Sequence, residues 1–330
     1  MKASRFLTLV LGIVVLLSLA ACAADEPAPP ISTPTAVVAT DSGDPLNASI
    51  TAKGYAHPER LVTASWVNSH LAGSTNTVVI DLRKQEDYDA GHIPGALRLT
   101  PKEVFQGVGA DGVPGMLPEP TLIEEVLGSL GVEPDDTVVF YDSSSNLWAS
   151  RALWALDVYG HADTRLIDGS WSAWAASGNA ISVETPGVTA TSYAFAGDPN
   201  EGLIANWEEV LASVEDPSTI VCDTRSPDEY AGQDVRAANG GHIPKSLNVN
   251  WNRSINEVGE FLPAAELATL YKEEGIPGVG TVITLCQTAV RATHTWFVLE
   301  ALLGYPSVQV YDGSWIEWGN RADLPITTKG

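Results

Sequence analysis

Lysine and arginine are scarce in this 330-residue chain, which has 18 of them against 41 aspartates and glutamates and a formal net charge of −23. Nucleic-acid binding through phosphate contacts needs clustered cations, so the composition argues against it. Cysteine and histidine are also few, with three and six residues. Because they show no multi-cysteine or histidine-rich spacing, neither a zinc nor an iron–sulfur site is expected. The acidity favours solubility and makes any local positive site for a small anion a more specific feature.

Residues 1–22 have the pattern of an export signal. Two cations precede an apolar run from Phe6 to Leu19, which is too short to predict a membrane-spanning helix. Leu19-Ala20-Ala21-Cys22 resembles the lipobox of bacterial lipoproteins. The resemblance implies cleavage before Cys22 and a lipid on its sulfur. We therefore expect an extracytoplasmic protein that is anchored to the cell membrane.

The rest of the chain divides into a tether and two copies of one pattern. Residues 23–55 are rich in Ala, Pro, Ser, Thr, Asp and Gly with little apolar periodicity, which predicts a disordered tether. The length leaves room for two ordinary domains after this leader. We place them at 56–176 and 204–326, and we interpret 177–203 as the connection between them.

Three motifs occur in both copies and in the same order. They are an apolar run ending in Asp-x-Arg, the sequence Gly-His-Ile-Pro, and Asp-Gly-Ser-Trp, at 78–83 and 220–225, 91–94 and 241–244, and 168–171 and 312–315. Each copy alternates short β-type runs with helical patterns, which predicts an α/β fold with a parallel sheet flanked by helices in each domain. Ligands on such sheets bind outside the carboxyl ends of the strands.

Cys286 follows such a strand, the β-type run Thr281–Leu285, and a helical pattern begins a few residues later. The positive end of that helix and the neighbouring Arg291 favour an anionic sulfur, which predicts a nucleophile. The alternative is a buried, inert cysteine. Alignment of the copies places Asp142 opposite Cys286 without a gap. We therefore expect the first copy to lack a reactive sulfur and to wall one side of the second copy's site.

Taken together, these motifs closely resemble the rhodanese superfamily, in the tandem form with an inactive first domain and an active second one. The resemblance implies that Cys286 takes a sulfane sulfur from an anionic donor such as thiosulfate, carries it as a persulfide, and passes it to cyanide or a thiol. The loop N–H groups would hold the negative charge of the persulfide. They belong to Gln287, Thr288, Ala289, Val290 and Arg291. The Arg291 guanidinium could also pair with a donor oxygen, and no metal or organic cofactor is required.

Four alternatives stay open. Related phosphatases have five residues between Cys and Arg; here there are four between Cys286 and Arg291, a tighter loop that favours sulfur transfer. Gln287-Thr288 matches neither the thiosulfate nor the 3-mercaptopyruvate enzymes, so donor preference is open. A family substrate arginine is replaced by Glu229, and Arg236 is either its substitute or a solvated loop residue. A non-catalytic surface module that binds a sulfur anion or a partner protein is the hypothesis from another class.

Overall fold

The computed structural model describes residues 44–71 and 76–328. The predicted export signal, Cys22 and residues 23–43 of the predicted tether lie outside the described residues. Within the described ranges, no helix is both long enough and apolar enough to cross a bilayer.

Short strands and helices alternate through both halves of the chain, as the sequence predicts. The first half contains, in chain order, α1 (Ala48–Ala52), β1 (Leu61–Val62), α2 (Ala64–Leu71), β2 (Thr77–Asp81), α3 (Gln85–Ala90), β3 (Leu97–Arg98), α4 (Pro101–Val104), β4 (Gly107–Val108), β5 (Pro114–Met116), α5 (Pro120–Ser129), β6 (Thr137–Tyr141), α6 (Leu147–Tyr159), β7 (Asp163–Ile167) and α7 (Ser170–Ala176). The second half contains β8 (Ile204–Ala205), α8 (Trp207–Ser213), β9 (Thr219–Asp223), α9 (Pro227–Tyr230), β10 (Leu247–Asn248), α10 (Ala264–Glu273), β11 (Thr281–Leu285), α11 (Val290–Phe297), β12 (Val308–Tyr311) and α12 (Ser314–Trp318).

Each half forms one five-stranded parallel sheet, which confirms the predicted α/β fold. The strand orders are β1-β7-β6-β2-β3 and β8-β12-β11-β9-β10, so the two sheets have the same topology. The central strand β11 has the predicted bounds, and the β-branched and aromatic residues of β6 and β11 are buried almost throughout. Strands β4 and β5 form a separate antiparallel pair in the first half. The carboxyl ends of β6 and β11 lead directly to Asp142 and Cys286.

Helices α6 and α11 occupy equivalent places in the two halves and pack against each other. One apolar core continues through both of them, from Leu153 and Trp154 in α6 to Trp296 and Phe297 in α11, all at most 1% exposed. A π-helical turn, Val298–Leu302, extends α11 into the same core. The described halves therefore belong to one compact unit with a shared core.

The Asp-x-Arg and Gly-His-Ile-Pro motifs stabilise the ends of β2 and β9. Asp81 pairs with Arg83 and Asp223 with Arg225, each at 2.6 Å and each nearly inaccessible to solvent. The two arginines also donate to the carbonyl oxygens of Gly91 and Gly241, the first residues of the Gly-His-Ile-Pro turns. These four charged side chains form structural ion pairs that stabilise the strand ends.

The prediction of a disordered tether is wrong for residues 44–55. This segment contains a 3₁₀ turn and α1, and it buries Ile50 and Tyr55 in the shared core. The Tyr55 hydroxyl donates to the carbonyl oxygen of Phe261 in the second half. Lys53 donates to the same oxygen and pairs with Asp168 of the first half at 2.6 Å. The segment thus connects the two halves through contacts that its polar composition does not reveal.

The ion pair of Lys53 and Asp168 yields a testable expectation for stability. Lys53→Met should lower the free energy of unfolding by about 1–3 kcal/mol, because it leaves the carboxylate of Asp168, 7% exposed, without its cation. Arg253→Met is the matched control, since Arg253 pairs with Glu274 at the same 2.6 Å but in an exposed setting. The control should cost less than about 1 kcal/mol in chemical denaturation. Equal losses in the two variants would contradict the argument from burial.

Candidate active site

Cys286 lies directly after the central strand β11 and is 1% exposed. The Ser314 hydroxyl accepts a hydrogen bond from its backbone N–H at 3.2 Å, and the N–H of Trp315 donates to its carbonyl oxygen at 2.9 Å. The Asp-Gly-Ser-Trp motif of the second half therefore holds both backbone polar groups of the cysteine. Cys286 and the core residue Cys222 are both free thiols. Burial raises the pKa of Cys222, which marks it as an inert residue.

The loop after Cys286 turns sharply through Ala289, which is left-handed with φ of 60°, into α11. Ala289 N–H donates to Ser314 Oγ at 3.1 Å, and Val290 N–H donates to the Thr288 carbonyl oxygen at 2.9 Å. No other described residue accepts a hydrogen bond from the N–H groups of Gln287, Thr288 or Arg291. Two of the five N–H groups predicted to hold the sulfur are thus already bonded, and three are available to an anion beside the helix amino terminus.

Arg291 is bound by a carboxylate in this structure. Its Nη1 and Nη2 donate to Glu229 at 2.6 and 2.9 Å, and Glu229 also accepts from the N–H and hydroxyl of Ser226. Burial by itself raises the pKa of Glu229, but these hydrogen bonds outweigh it and hold the pKa near 2. Burial by itself lowers the pKa of Arg291, but the interactions with Glu229 and Cys286 outweigh burial and raise the pKa overall. The predicted pairing of Arg291 with a donor oxygen must therefore compete with an internal carboxylate.

Arg236 lies on the loop that is unique to the second half, and its side chain is half exposed. It pairs with Asp234 at 2.5 Å and lies 3.5 Å from Glu229. Gln287 Nε2 donates to the Arg236 carbonyl oxygen at 3.1 Å, so this loop covers the start of the cysteine loop. Arg236 is thus a solvated loop arginine placed beside the Glu229–Arg291 pair.

The first half contacts the cysteine loop through the segment that carries β4 and β5. Gln106 Nε2 donates to the Thr288 carbonyl oxygen at 3.2 Å. Gly115, with φ of 87°, lies so close that a Cβ there would stand 3.2 Å from Thr288 Cβ. Arg151 of α6 holds this segment by donating to the carbonyl oxygens of Phe105 and Gly115. These contacts are of the kind expected of a domain that walls one side of the site.

Arg151 also joins the two halves through Asp312, the aspartate of the second Asp-Gly-Ser-Trp motif. The two side chains pair at 2.6 Å with exposures of 0% and 3%, and Leu117 N–H donates to the same carboxylate at 2.6 Å. Asp168 occupies the equivalent position of the first motif and receives Phe261 N–H and Lys53 instead. Sequence reasoning did not identify the Arg151–Asp312 pair, although the repeated aspartate was visible.

Asp142 occupies the position of Cys286 in the first half, with the same backbone environment. Its N–H donates to Ser170 Oγ, and Trp171 N–H donates to its carbonyl oxygen. Its carboxylate accepts four backbone N–H groups of its own loop at 2.8–3.2 Å, those of Ser144, Asn146, Trp148 and Ala149. Burial raises the pKa of Asp142 in spite of these donors. The loop of the first half is therefore filled by its own side chain.

The neighbouring His294 is buried in α11 between the rings of Trp251 and Phe261. Burial lowers its pKa to about 3, so it is neutral. Within 44–71 and 76–328, no group of three or more His, Cys, Asp and Glu side chains is placed to hold a metal ion. The polar groups around Cys286 are its own thiol, the loop N–H groups and the Arg291–Glu229 pair.

Comparison with known proteins agrees with this architecture. A model of the rhodanese-like domain matches residues 63–177 and 206–321. The thiosulfate sulfurtransferase of Corynebacterium glutamicum is 38% identical over 287 residues, covering 83% of this chain and 92% of that protein. The sulfur carrier protein TtuD of Thermus thermophilus is 36% identical over 288 residues, covering 83% and 98%. The anaerobic ergothioneine biosynthesis enzyme of Chlorobium limicola shares the fold, with a TM-score of 0.75, 23% identity and coverage of 84% and 72%. Two matches to the family model and these relatives along most of the chain place this protein in the rhodanese family, with two rhodanese-like domains.

Proposed function

We propose that this protein is a sulfurtransferase that moves the outer sulfur of thiosulfate through a persulfide on Cys286 to a nucleophilic acceptor. The observation that carries the proposal is the free Cys286 thiol at the carboxyl end of β11, beside unbonded loop N–H groups. The curated relatives named above, a thiosulfate sulfurtransferase and a sulfur carrier protein, support the same chemistry.

The reaction has two steps that balance in atoms and charge. The Cys286 thiolate attacks the outer sulfur of thiosulfate, the sulfur–sulfur bond of the donor breaks, and sulfite leaves with the electron pair. The N–H groups of Gln287, Thr288 and Arg291 stabilise the persulfide anion that remains. Cyanide or a thiolate then attacks the outer sulfur of the persulfide, which returns the Cys286 thiolate and releases thiocyanate or a new persulfide.

The direct test is thiocyanate formation by the purified protein. With thiosulfate and cyanide, the protein should produce thiocyanate, and a parallel assay with 3-mercaptopyruvate measures the preference between the two donors. After incubation with thiosulfate alone, the peptide that contains Cys286 should gain one sulfur atom by mass spectrometry. No thiocyanate from either donor, together with an unmodified Cys286 peptide, would leave the non-catalytic binding module as the better hypothesis.

Glu229→Gln tests how far the Glu229–Arg291 pair controls access to the donor. The glutamine side chain would keep the shape but free most of the charge of Arg291, so the KM for thiosulfate should fall about tenfold, the value of one charge-assisted hydrogen bond. Asp234→Asn is the control, because it removes one negative charge nearby without touching Arg291. An unchanged or higher KM for Glu229→Gln would show that the pair positions Arg291 rather than withholding it.

The effect of Glu229→Gln on KM should not depend on pH in the neutral range. The folded pKa of Glu229 is lowered from 4.5 to about 2, so its ion pair contributes stability that is present above 4.5 and lost as the pH falls through about 2. The pair is therefore charged throughout the neutral range. We expect the change in KM to be constant between about pH 6 and 8, where Arg291 is also fully charged. A KM effect that disappears within this range would implicate another titrating group.

Localisation follows from the amino-terminal pattern. We propose that Cys22 carries lipid and anchors the two domains outside the cytoplasm, because small residues lead to a cysteine at the end of an apolar run. Labelled palmitate supplied to the producing cells should be incorporated into the wild-type protein. Cys22→Ala should abolish the label, and a label that persists in this variant would remove the proposed anchor.

A further inference from the structure

A cavity of about 430 Å³ opens at the carboxyl edge of the first sheet, next to the loop that Asp142 fills. Three chain segments and one aromatic side chain form it: residues 82–85 after β2, residue 98 at the end of β3 with residues 100–102, residues 142–144, and Trp148. In the second half, the corresponding edge of the sheet carries Cys286. The cavity is thus the first half's counterpart of the catalytic edge, and the proposed sulfur-transfer chemistry does not use it.

The lining of this cavity is basic in a strongly acidic protein. It contains four of the 18 lysines and arginines of the chain and one acidic residue, Asp142. Two of these four cations are already neutralised: Arg83 is paired with the buried Asp81, and the exposed Lys84 lies 3.7 Å from Glu86. The other two cations are Arg98 and Lys102.

Arg98 and Lys102 have no carboxylate within ion-pair distance among the described residues. Arg98 is partly buried; its Nε donates to the Arg83 carbonyl oxygen and its Nη2 to the Thr100 hydroxyl at 3.4 Å. These bonds fix the guanidinium at the cavity and leave its charge uncompensated. Lys102 lies one turn further along, on α4, and is exposed.

Asp142 does not supply the missing counter-charge. Its carboxylate is 1% exposed and accepts four backbone N–H groups, so its lone pairs face its own loop. Neutral groups complete the wall on that side of the cavity, with the exposed Ser143 and Ser144 and the indole of Trp148. An anion in the cavity would meet two free cations and hydroxyl donors, without displacing any internal pair.

The second half differs at these two positions. By strand register, Arg98 beside Asp81 corresponds to Asn248 beside Asp223, and the same spacing places Asn252 opposite Lys102. Both replacements are neutral. The half with the thiol therefore lacks these cations, and the half without a thiol has them. The first half thus combines an edge that attracts anions with the absence of a reactive sulfur at position 142.

We propose that this cavity binds a small divalent oxyanion, of the sulfate and thiosulfate class, through Arg98 and Lys102. Two unneutralised cations suit a charge of −2, and the hydroxyl groups of Ser143 and Ser144 in the same wall can donate to the oxygens of such an anion. The site is separate from Cys286 and its occupancy does not depend on sulfur transfer.

Equilibrium dialysis with radiolabelled sulfate at low ionic strength tests the proposal in the full chain carrying Cys286→Ser, which cannot form a persulfide. The protein should bind one equivalent of sulfate, and unlabelled thiosulfate should displace it. Adding Arg98→Gln with Lys102→Gln should weaken binding at least about tenfold, because charge-assisted hydrogen bonds are lost. The control is Lys245→Gln with Lys272→Gln, which removes the same charge from exposed positions of the second half and should change binding less than about twofold.

If the two double variants weakened sulfate binding equally, the effect would come from the overall charge of the protein, and the proposed site would be wrong. Absence of sulfate binding in the Cys286→Ser chain would overturn it as well. Lys102→Gln alone provides a variant that cannot disturb the fold, since its side chain is exposed, and it should weaken binding in the same direction. Failure of these tests leaves the thiocyanate assay unaffected, so the two proposals stand or fall separately.

Discussion

Replacing Cys286 with serine is expected to lower thiocyanate formation from thiosulfate and cyanide by at least about 10³-fold, to the uncatalysed level. The serine side chain fits the same buried position, so the loop and its bonds to Ser314 should persist. Its hydroxyl does not ionise near neutral pH and cannot carry a sulfane sulfur. The loss should therefore appear in kcat, with an unchanged melting temperature.

Cys222→Ala is the matched control for the cysteine substitution. Cys222 is buried in the core next to β11, and burial raises the pKa of its thiol, so it should form no persulfide. Its removal should reduce kcat less than about threefold while costing some stability, because it leaves a small cavity. The assignment of Cys286 as the nucleophile fails if Cys286→Ser keeps substantial activity. It fails equally if mass spectrometry finds the added sulfur on the peptide of Cys222.

Arg151→Met is expected to destabilise the protein by about 3–5 kcal/mol, the largest effect on stability that we predict. Its partner Asp312 is 3% exposed and would be left as a buried carboxylate with only one backbone donor. The variant also loses the hydrogen bonds to Phe105 and Gly115 that hold the β4–β5 segment against Thr288. We therefore expect a lower kcat/KM for sulfur transfer even at temperatures where the variant is fully folded.

Three ion pairs of equal length but different exposure allow the effect of burial on stability to be measured apart from the effect of distance. Arg151–Asp312, Lys53–Asp168 and Arg253–Glu274 all measure 2.6 Å, with side-chain exposures of 0 and 3%, 17 and 7%, and 45 and 35%. The loss of stability on replacing each cation with methionine should fall in that order. A double variant, Arg151→Met with Asp312→Leu, should recover part of the stability, because no buried charge is then unpaired. Similar losses for all three single variants would contradict the assignment.

The Glu229–Arg291 pair reduces the positive charge that this acidic rhodanese-family protein offers to an anionic donor. Glu229 is almost fully buried and binds the one arginine of the cysteine loop through two hydrogen bonds. The unbonded loop N–H groups are therefore the hydrogen-bond donors that remain available to the sulfur of the donor molecule. Arg236 lies at the edge of the site. This division of roles is consistent with a site selective for a small sulfur anion.

The repeat, the strand β11 and the position of Cys286 at a strand end could all be predicted from the amino-acid sequence. Those features depend on local periodicity and on motifs that occur twice, so they can be read without knowing which distant residues meet. Asp142 opposite Cys286 also follows from alignment of the two copies. The structural ion pairs of Asp-x-Arg were predictable because their members are two residues apart.

The charged residues that pair across the chain are known from the folded structure and could not be predicted from the sequence. Glu229 and Arg291 are far apart in sequence and meet because β9 and β11 are neighbours in the second sheet. Arg151 and Asp312 meet because the two halves pack together through α6 and α11. Residues 44–55 look like a tether because only a few of their side chains are apolar, yet Ile50 and Tyr55 fill the shared core. A short polar segment has no periodicity of its own to reveal this, since the surface that orders it is built by residues hundreds of positions away.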